Sequence, residues 1–369
     1  MRIDKGKGRF YDKKGLMEKG VRKMTVTDFY RTFSSDCTAG CGNQLLAKLP
    51  QPVTKTGRCW FRLSHGGANY ALLFSNEIDS TYDDGSISRP GDIGGDWAIH
   101  QLRVGLCKGF KEEPAVWQIV TFAGEKEKTV SGKAAFVTDP ISLNAKAGNW
   151  LCYELTFTGN CFPYHEEAVL TMMPDKQMPL PLMIGSDRQV KERIGFLGDS
   201  ITQGCGTEDD SYTHWVAQIA EKLPESSSVW DLGIGYARAS DAATDGGWLE
   251  RAKHCDTVHV CFGVNDTLRN RSAEAILQDL RTIIRALKEA RCRVILFTLP
   301  PFDLEGEQRT QWQKVNAAIR ENLWQEADGL FDIAAVLGQE APNEHRCIYG
   351  GHPDARGCKA VAEAYLRQM

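Results

Sequence analysis

The sequence RIGFLGDSITQG, residues 193–204, contains an apolar run that ends in a short turn carrying Ser200. The run is typical of a buried strand. Glycine, aspartate and serine are ordinary turn and helix-cap residues, so the turn taken alone fits a cap as well as a catalytic nucleophile. The rest of the chain has to decide between these two interpretations.

Beyond Arg193, predicted strands and helices alternate. Compact apolar runs predict strands at 194–197, 229–232, 257–262, 293–298 and 330–333. Helical spacing of apolar residues predicts helices at 212–223, 273–290, 308–326 and 355–367. Because alternating strands and helices form a parallel sheet covered on both faces, we expect a three-layer α/β/α domain.

The first half of the chain has a different pattern. Short runs such as RCWFRLSH, NYALLFSN and WAIHQLRVGL are rich in β-branched and aromatic residues, with turn residues between them. Six or more such runs predict an all-β sandwich of jelly-roll type. The proline-containing stretch 173–192 is typical of a linker. We therefore expect a sandwich domain over 1–185 and the α/β domain over 186–369.

Composition excludes several classes of protein. The chain has 369 residues and a formal net charge of −4, which gives no strong overall field for nucleic acid or acidic lipid. A basic stretch between residues 5 and 23 fits a solvated terminus better than a binding tail. No apolar stretch reaches the roughly 18 residues of a membrane span, and no signal-peptide core is evident, so we expect a cytoplasmic protein.

The cysteines favour buried thiols over disulfides or a metal site. Most of the twelve lie in apolar contexts, which is typical of reduced cysteines. Cys37 and Cys41 have metal-like spacing, but no second pair follows at a useful distance. We expect no metal.

Polar residues follow the predicted strands at four points. They are Ser200 after the first strand, Gly235 after the second, Asn265 after the third, and His352 before the last helix. Each has an ordinary explanation as a cap, turn or loop residue. Since ligands of such folds bind beyond the carboxyl ends of the strands, we expect the four to converge at one edge.

This set matches the requirements of acyl transfer, which needs a nucleophile, a base and donors for an oxyanion. Ser200 is the candidate nucleophile, and His352 is a base able to exchange a proton near neutral pH. The backbone N–H groups of Ser200 and Gly235 and the side-chain amide of Asn265 are the candidate oxyanion donors.

The motifs GDSIT with Ser200, a glycine-containing loop at Gly235, GVND with Asn265, and HPDARG with His352 resemble the four blocks of the SGNH/GDSL hydrolases. The resemblance covers 193–369. It implies a flavodoxin-like catalytic domain, serine esterase activity and no cofactor. The first half is similar to the β-sandwich that precedes the catalytic domain in some carbohydrate esterases and related acylhydrolases.

Two positions depart from the family pattern. The second-block glycine usually follows Gly-Ile-Ser, but Tyr236 occupies that place here and Gly235 comes one residue earlier. The family usually has an aspartate three residues before the histidine, where this chain has Tyr349. Asp354 lies on the other side of His352, and we do not assign it to the site. The resemblance therefore implies a serine–histidine dyad.

The predicted function is hydrolysis of short-chain acyl esters, above all O-acetyl groups on carbohydrate. Tyr236 and Trp248 are aromatic residues near the predicted edge and are candidates for stacking on a sugar, although a core role is equally open for Trp248. Alternatives are an acyltransferase, a lipase-type acylhydrolase, or a degenerate hydrolase that only binds carbohydrate. The expected partner is a small-molecule or oligosaccharide ester, with no nucleic acid and no membrane, and the oligomeric state is open.

Overall fold

The computed structural model describes residues 23–40, 42–165, 177–338 and 351–368. Most of the basic N-terminal stretch, Cys41 and Tyr349 lie outside these residues, and what was expected of them stays a prediction.

The first part of the chain forms two antiparallel sheets. In chain order its elements are α1 (Val26–Thr32), β1 (Ser34–Ser35), β2 (Leu45–Arg62), β3 (Gly66–Ser75), β4 (Trp97–Cys107), β5 (Gln118–Ile119), β6 (Lys128–Val130), β7 (Ala135–Val137), β8 (Ile141–Lys146), β9 (Trp150–Tyr164) and β10 (Met183–Ser186). One sheet has the order β1-β10-β3-β7 with β8 also paired to β3, and the other has β2-β9-β4-β5 with β6 paired to β4. We call the two sheets and their connections the sandwich.

Alternation of side chains along the strands produces the core of the sandwich. Phe61 and Tyr153 from one sheet meet Leu72 and Phe74 from the other, and all four are buried. Burying one such side chain contributes about 1.5–3 kcal/mol relative to leaving it exposed. The short aromatic and β-branched runs therefore form paired sheets as expected, while the jelly-roll connection stays a prediction.

The stretch 173–192 is not simply the linker that its prolines indicated. β10 lies inside it and pairs antiparallel with β3, with Ile184 opposite Leu72. Leu180 and Leu182, on either side of Pro181, are buried. Pro179 and Pro181 precede the strand and interrupt no ladder, which is why they are tolerated there. The expected domain boundary at 185–186 falls within β10 and stays a prediction.

The second part is a parallel sheet with helices on both faces. Its strands are β11 (Glu192–Gly198), β12 (Ser227–Gly233), β13 (Thr257–Cys261), β14 (Arg293–Phe297) and β15 (Gly329–Phe331). Its helices are α2 (Ser200–Gln203), α3 (Trp215–Ala220), α4 (Ala239–Ala242), α5 (Gly247–Ala252), α6 (Val264–Leu268), α7 (Ala273–Glu289), α8 (Gly306–Glu321), α9 (Ile333–Leu337) and α10 (Ala355–Gln368), with a 3₁₀ turn at Leu323–Glu326.

The strand order is β12-β11-β13-β14-β15, which is the flavodoxin-like order 2-1-3-4-5. Phe196 of β11 packs with α3, α9 and α10, whereas the next residue, Leu197, packs with α5, α7 and α8. Both are fully buried. The three-layer α/β/α prediction is confirmed.

The sandwich and the parallel sheet are joined by apolar packing. Leu72 of β3 faces the sandwich core, but Ala71 and Leu73 pack in the same cluster as Trp230 of β12. The indole Nε1 of Trp230 also donates a 3.0 Å hydrogen bond to the carbonyl of Leu182. β3 is thus buried on both faces, which fixes the sandwich against the α/β part.

None of the helices in the described ranges is long and apolar enough to cross a membrane. The ten cysteines within those ranges are free thiols. The same residues contain no group of three or more metal-ligating side chains.

Candidate active site

The turn that carries Ser200 joins the end of β11 to the start of α2. Asp199 caps α2, and its Oδ1 accepts a 3.0 Å hydrogen bond from the Ile201 N–H. A Cβ added to Gly198 would lie 2.1 Å from Thr202 Oγ1, so this tight strand-to-helix turn requires glycine. Ser200 is the first residue of α2 and is 8% exposed.

His352 lies beside Ser200 although 152 residues separate the two. Its Nε2 is 2.8 Å from Ser200 Oγ. The imidazole packs edge-on against the ring of Phe302, with centroids 5.1 Å apart. Phe302 follows β14, so the histidine is positioned by a residue from the same edge of the sheet.

Asp354 has the contacts of a helix cap. Its Oδ1 accepts hydrogen bonds from the N–H groups of Arg356 and Gly357, both 2.9 Å long. Its Oδ2 lies 3.0 Å from Nη2 of Arg356. These partners hold the carboxylate at the start of α10.

Asn265 lies in α6, immediately after β13. Its Nδ2 donates a 3.0 Å hydrogen bond to the carbonyl of Ala237, and Arg269 Nη1 lies 3.4 Å from its Oδ1. These contacts fix the plane of the amide. Because an amide nitrogen has two hydrogens, one remains for a further acceptor.

β12 continues into a turn next to the end of β11. The N–H of Ile234 donates a 3.0 Å hydrogen bond to the last carbonyl of β11, and the N–H of Ala237 closes the turn on the Ile234 carbonyl at 3.3 Å. Gly235 and Tyr236 are its two central residues. The positive φ, 62°, falls on Tyr236 and not on Gly235. We call these four residues the β12 turn.

Tyr236 and Trp248, the two aromatic residues predicted as candidates for stacking on a sugar, lie in different environments. Tyr236 is half-buried, and its ring meets that of Tyr82 in a T-shaped contact with centroids 4.8 Å apart. Trp248 is only 2% exposed, and its Nε1 donates to the Leu232 carbonyl at 3.0 Å. The structure therefore favours the core role for Trp248 and brings it to no substrate surface.

Residues 196–360 match the GDSL-like Lipase/Acylhydrolase family. This part of the chain is a GDSL-like lipase/acylhydrolase domain. The match includes Ser200, Asn265 and His352, and it confirms the resemblance drawn from the sequence blocks. It supports an ester hydrolase. No curated protein matches the chain.

The solved structures that resemble this protein each match about half of the chain. A member of the lipolytic protein G-D-S-L family from Veillonella parvula has 19% identity and a TM-score of 0.40, covering 47% of this chain and 96% of its own. Axe2, an acetylxylan esterase from Geobacillus stearothermophilus, has 20% identity and a TM-score of 0.39, covering 49% and 94%. A carbohydrate esterase family 3 protein from Talaromyces cellulolyticus has 22% identity and a TM-score of 0.39, covering 48% and 95%.

Two buried carboxyl groups support the site of the GDSL-like domain. Burial raises the pKa of Asp199 to about 7. Burial also raises the pKa of Asp266. Hydrogen bonds from the Ala239 N–H at 2.8 Å and from Arg271 at 2.5 Å lower this pKa and offset only part of the effect of burial. Asp266 therefore ties α6 to α4, which follows the β12 turn.

No role was predicted from the sequence for three residues that support the site of the GDSL-like domain. Asp266 had a local signal, since it directly follows Asn265 in GVND. Phe302 follows β14, so the rule that ligand-binding residues follow strands could have found it. Tyr82 had no local signal, because its contact depends on how the sandwich packs.

Proposed function

We propose that this protein is a serine esterase in which Ser200 is the nucleophile and His352 is the general base. The observation that carries the proposal is the 2.8 Å separation of Ser200 Oγ and His352 Nε2. At this distance the imidazole can take the hydroxyl proton as the oxygen attacks. The pair also lies where the strands of the parallel sheet end, which is where ligands bind in this fold.

In the acylation step, Ser200 Oγ attacks the ester carbonyl carbon while its proton passes to His352 Nε2. The tetrahedral intermediate breaks the bond to the alcohol oxygen, and the imidazolium returns the proton to that oxygen. The alcohol leaves, and the acyl group remains as an ester of Ser200.

Water completes the cycle. His352 takes a proton from the water as it attacks the acyl carbon, and it then protonates Ser200 Oγ as the bond to the acyl group breaks. A carboxylic acid leaves and the enzyme is regenerated. The helix-cap contacts of Asp354 favour a serine–histidine dyad over a triad that uses this carboxylate.

Three donors are proposed for the oxyanion of each tetrahedral intermediate. They are the N–H of Ser200, the Nδ2 group of Asn265 and the N–H of Gly235. The fixed amide plane of Asn265 supports its part, since such donors act best when oriented in advance. Losing one donor typically costs about 3–4 kcal/mol in the barrier.

We propose short acyl groups, and in particular O-acetyl groups on carbohydrate, as the substrate. Ser200 and Asn265 are 8% and 7% exposed, which supports a small acyl group over a long chain. Tyr236 is half-buried beside this edge and is the candidate for packing against a sugar ring.

A fluorophosphonate probe tests the nucleophile. The wild-type protein is expected to be labelled and Ser200→Ala is not. Ser211→Ala, which removes a half-buried hydroxyl after α2 that donates to the Glu208 carbonyl, is the matched control and should label like wild type. If Ser200→Ala labels like wild type, or if the wild type does not label, the proposed function is wrong.

Substrate class is tested with p-nitrophenyl esters of rising chain length and with acetylated xylan and mannan oligosaccharides. We expect kcat/KM to fall with chain length and acetate to be released from at least one oligosaccharide. Faster turnover with an added alcohol, with the acyl group recovered on that alcohol, would identify an acyltransferase instead.

A further inference from the structure

Tyr236 has a backbone conformation that its side chain disfavours. Its φ of 62° lies in the left-handed region. Tyr236 is the second central residue of the β12 turn, and turns with a positive φ at that position usually have glycine there. The glycine stands one position earlier, at Gly235. A non-glycine residue keeps such a conformation only where its surroundings hold it, and such residues concentrate at functional sites.

One contact that holds the turn comes from the sandwich. Tyr82 lies in the connection between β3 and β4, and its ring packs edge to face on that of Tyr236, with centroids 4.8 Å apart at an angle of 66°. Tyr82 is itself fixed by an antiparallel bridge to Ser88. The side chain of the strained residue is therefore braced by the other part of the chain.

A second contact joins Arg238, the residue after the β12 turn, to the connection between β3 and β4. Asp241 Oδ2 accepts hydrogen bonds from the N–H of Arg238 at 2.9 Å and from the N–H of Thr81 at 3.1 Å. Its Oδ1 accepts a 2.5 Å hydrogen bond from the Thr81 hydroxyl. Thr81 and Asp241 are 2% and 4% exposed, so water does not compete for these bonds.

We infer that Thr81 and Tyr82 are positioning residues for the active site, acting through the β12 turn. They hold Tyr236 in its left-handed conformation and thereby fix the peptide groups of the turn next to the end of β11 and to Asn265. The inference rests on the proposed function. It gives the sandwich a part in positioning the active site, because two residues outside the GDSL-like domain orient the β12 turn.

The test is a rescue experiment with p-nitrophenyl acetate, which has no sugar for Tyr236 to contact. Tyr82→Ala should lower kcat about tenfold, equivalent to about 1.4 kcal/mol in the barrier, with KM within twofold. Tyr82→Phe keeps the ring contact and should retain kcat. Tyr236→Gly added to Tyr82→Ala should restore kcat, because glycine adopts a positive φ without a brace.

Lys111→Gly is the matched control. Lys111 has the same φ of 62° but is exposed in the sandwich. It should not restore kcat in the Tyr82→Ala background. If Tyr82→Ala does not fold, Thr81→Val replaces it in the same cycle.

The outcomes separate this inference from the proposed function. A wild-type protein without esterase activity or probe labelling overturns both. With an active wild type, kcat of Tyr82→Ala within twofold of wild type overturns the inference alone. A raised KM at unchanged kcat, or a loss of kcat that Tyr236→Gly does not restore, also overturns it.

Discussion

Arg251 of the GDSL-like domain and Asp79 of the sandwich form an ion pair with Nη2 and Oδ2 2.7 Å apart. Their side chains are 7% and 0% exposed. The same carboxylate oxygen accepts a 2.9 Å hydrogen bond from the Asn43 N–H. This ion pair and the apolar packing of β3 are both buried, so the contact between the sandwich and the α/β part is shielded from solvent.

Replacing Arg251 by alanine should destabilise the whole chain. The substitution leaves Asp79 buried without its cation, and breaking a buried pair in this way costs about 3–5 kcal/mol. Urea unfolding measures the loss. Lys288→Ala is the control, since Lys288 pairs with Asp328 at 2.6 Å on the surface, where a pair contributes at most about 1 kcal/mol. Equal losses in the two variants would contradict a buried role for the Arg251 pair.

Asn265→Ala should lower kcat roughly 100- to 1,000-fold and change KM little. The amide is proposed to bind an oxyanion that exists only after attack, so its loss affects the transition state and not the bound ester. Steady-state kinetics with p-nitrophenyl acetate measure both constants.

Asn316→Ala is the matched control for that experiment. Asn316 is a buried asparagine whose amide bonds the backbone of Leu299, at 2.7 Å and 3.0 Å, after β14. Its loss should lower the free energy of unfolding without a comparable fall in kcat. A similar fall in kcat for both variants would indicate that Asn265 is structural.

The sheets of this protein were predictable because their signals are local. Apolar runs and helical spacing predict β11, α7 and α10 within a few residues of where they lie. β10 was hidden because its pairing with β3 joins residues more than 100 positions apart and prolines stand before it. The four-residue helices α2 and α4 are too short to show a period.

The part of the site that could be predicted consists of residues that lie close to the ends of predicted strands. Ser200 and His352 were predicted to meet, and they lie within hydrogen-bonding distance. Trp248 could not be assigned, because an aromatic residue near a sheet edge has the same pattern whether it faces solvent or the core. The contact of Tyr82 with Tyr236 depends on the docking of two sheets, which no local pattern records.

Asp354→Asn should leave kcat within a few-fold of wild type. Its carboxylate is engaged by the N–H groups of Arg356 and Gly357, and asparagine caps a helix about as well as aspartate. His352→Ala, assayed in parallel, should lose at least 1,000-fold if the imidazole is the base. A loss near 10⁴-fold in Asp354→Asn would instead identify this carboxylate as the group that orients the histidine.

Asp199→Asn should change how stability depends on pH. Burial raises the pKa of Asp199 from 3.8 to about 7, so between these values the folded state binds more protons than the unfolded state. The free energy of unfolding of the wild type therefore falls as pH rises from about 4 to about 7. Asparagine does not titrate, yet its Oδ1 can still accept the hydrogen bond from the Ile201 N–H.

The difference in unfolding free energy, Asp199→Asn minus wild type, should therefore become more positive from pH 4 to pH 8, by roughly 4 kcal/mol at most. Urea unfolding at several pH values measures it. Asp84→Asn is the control. Asp84 is exposed and hydrogen bonds from Ser86 lower its pKa from 3.8, so its own effect on stability changes only below about pH 4, and its difference should stay nearly constant above about pH 5. If the Asp199 difference stays constant across this range, the carboxyl group is ionised in the folded protein and burial does not govern its protonation.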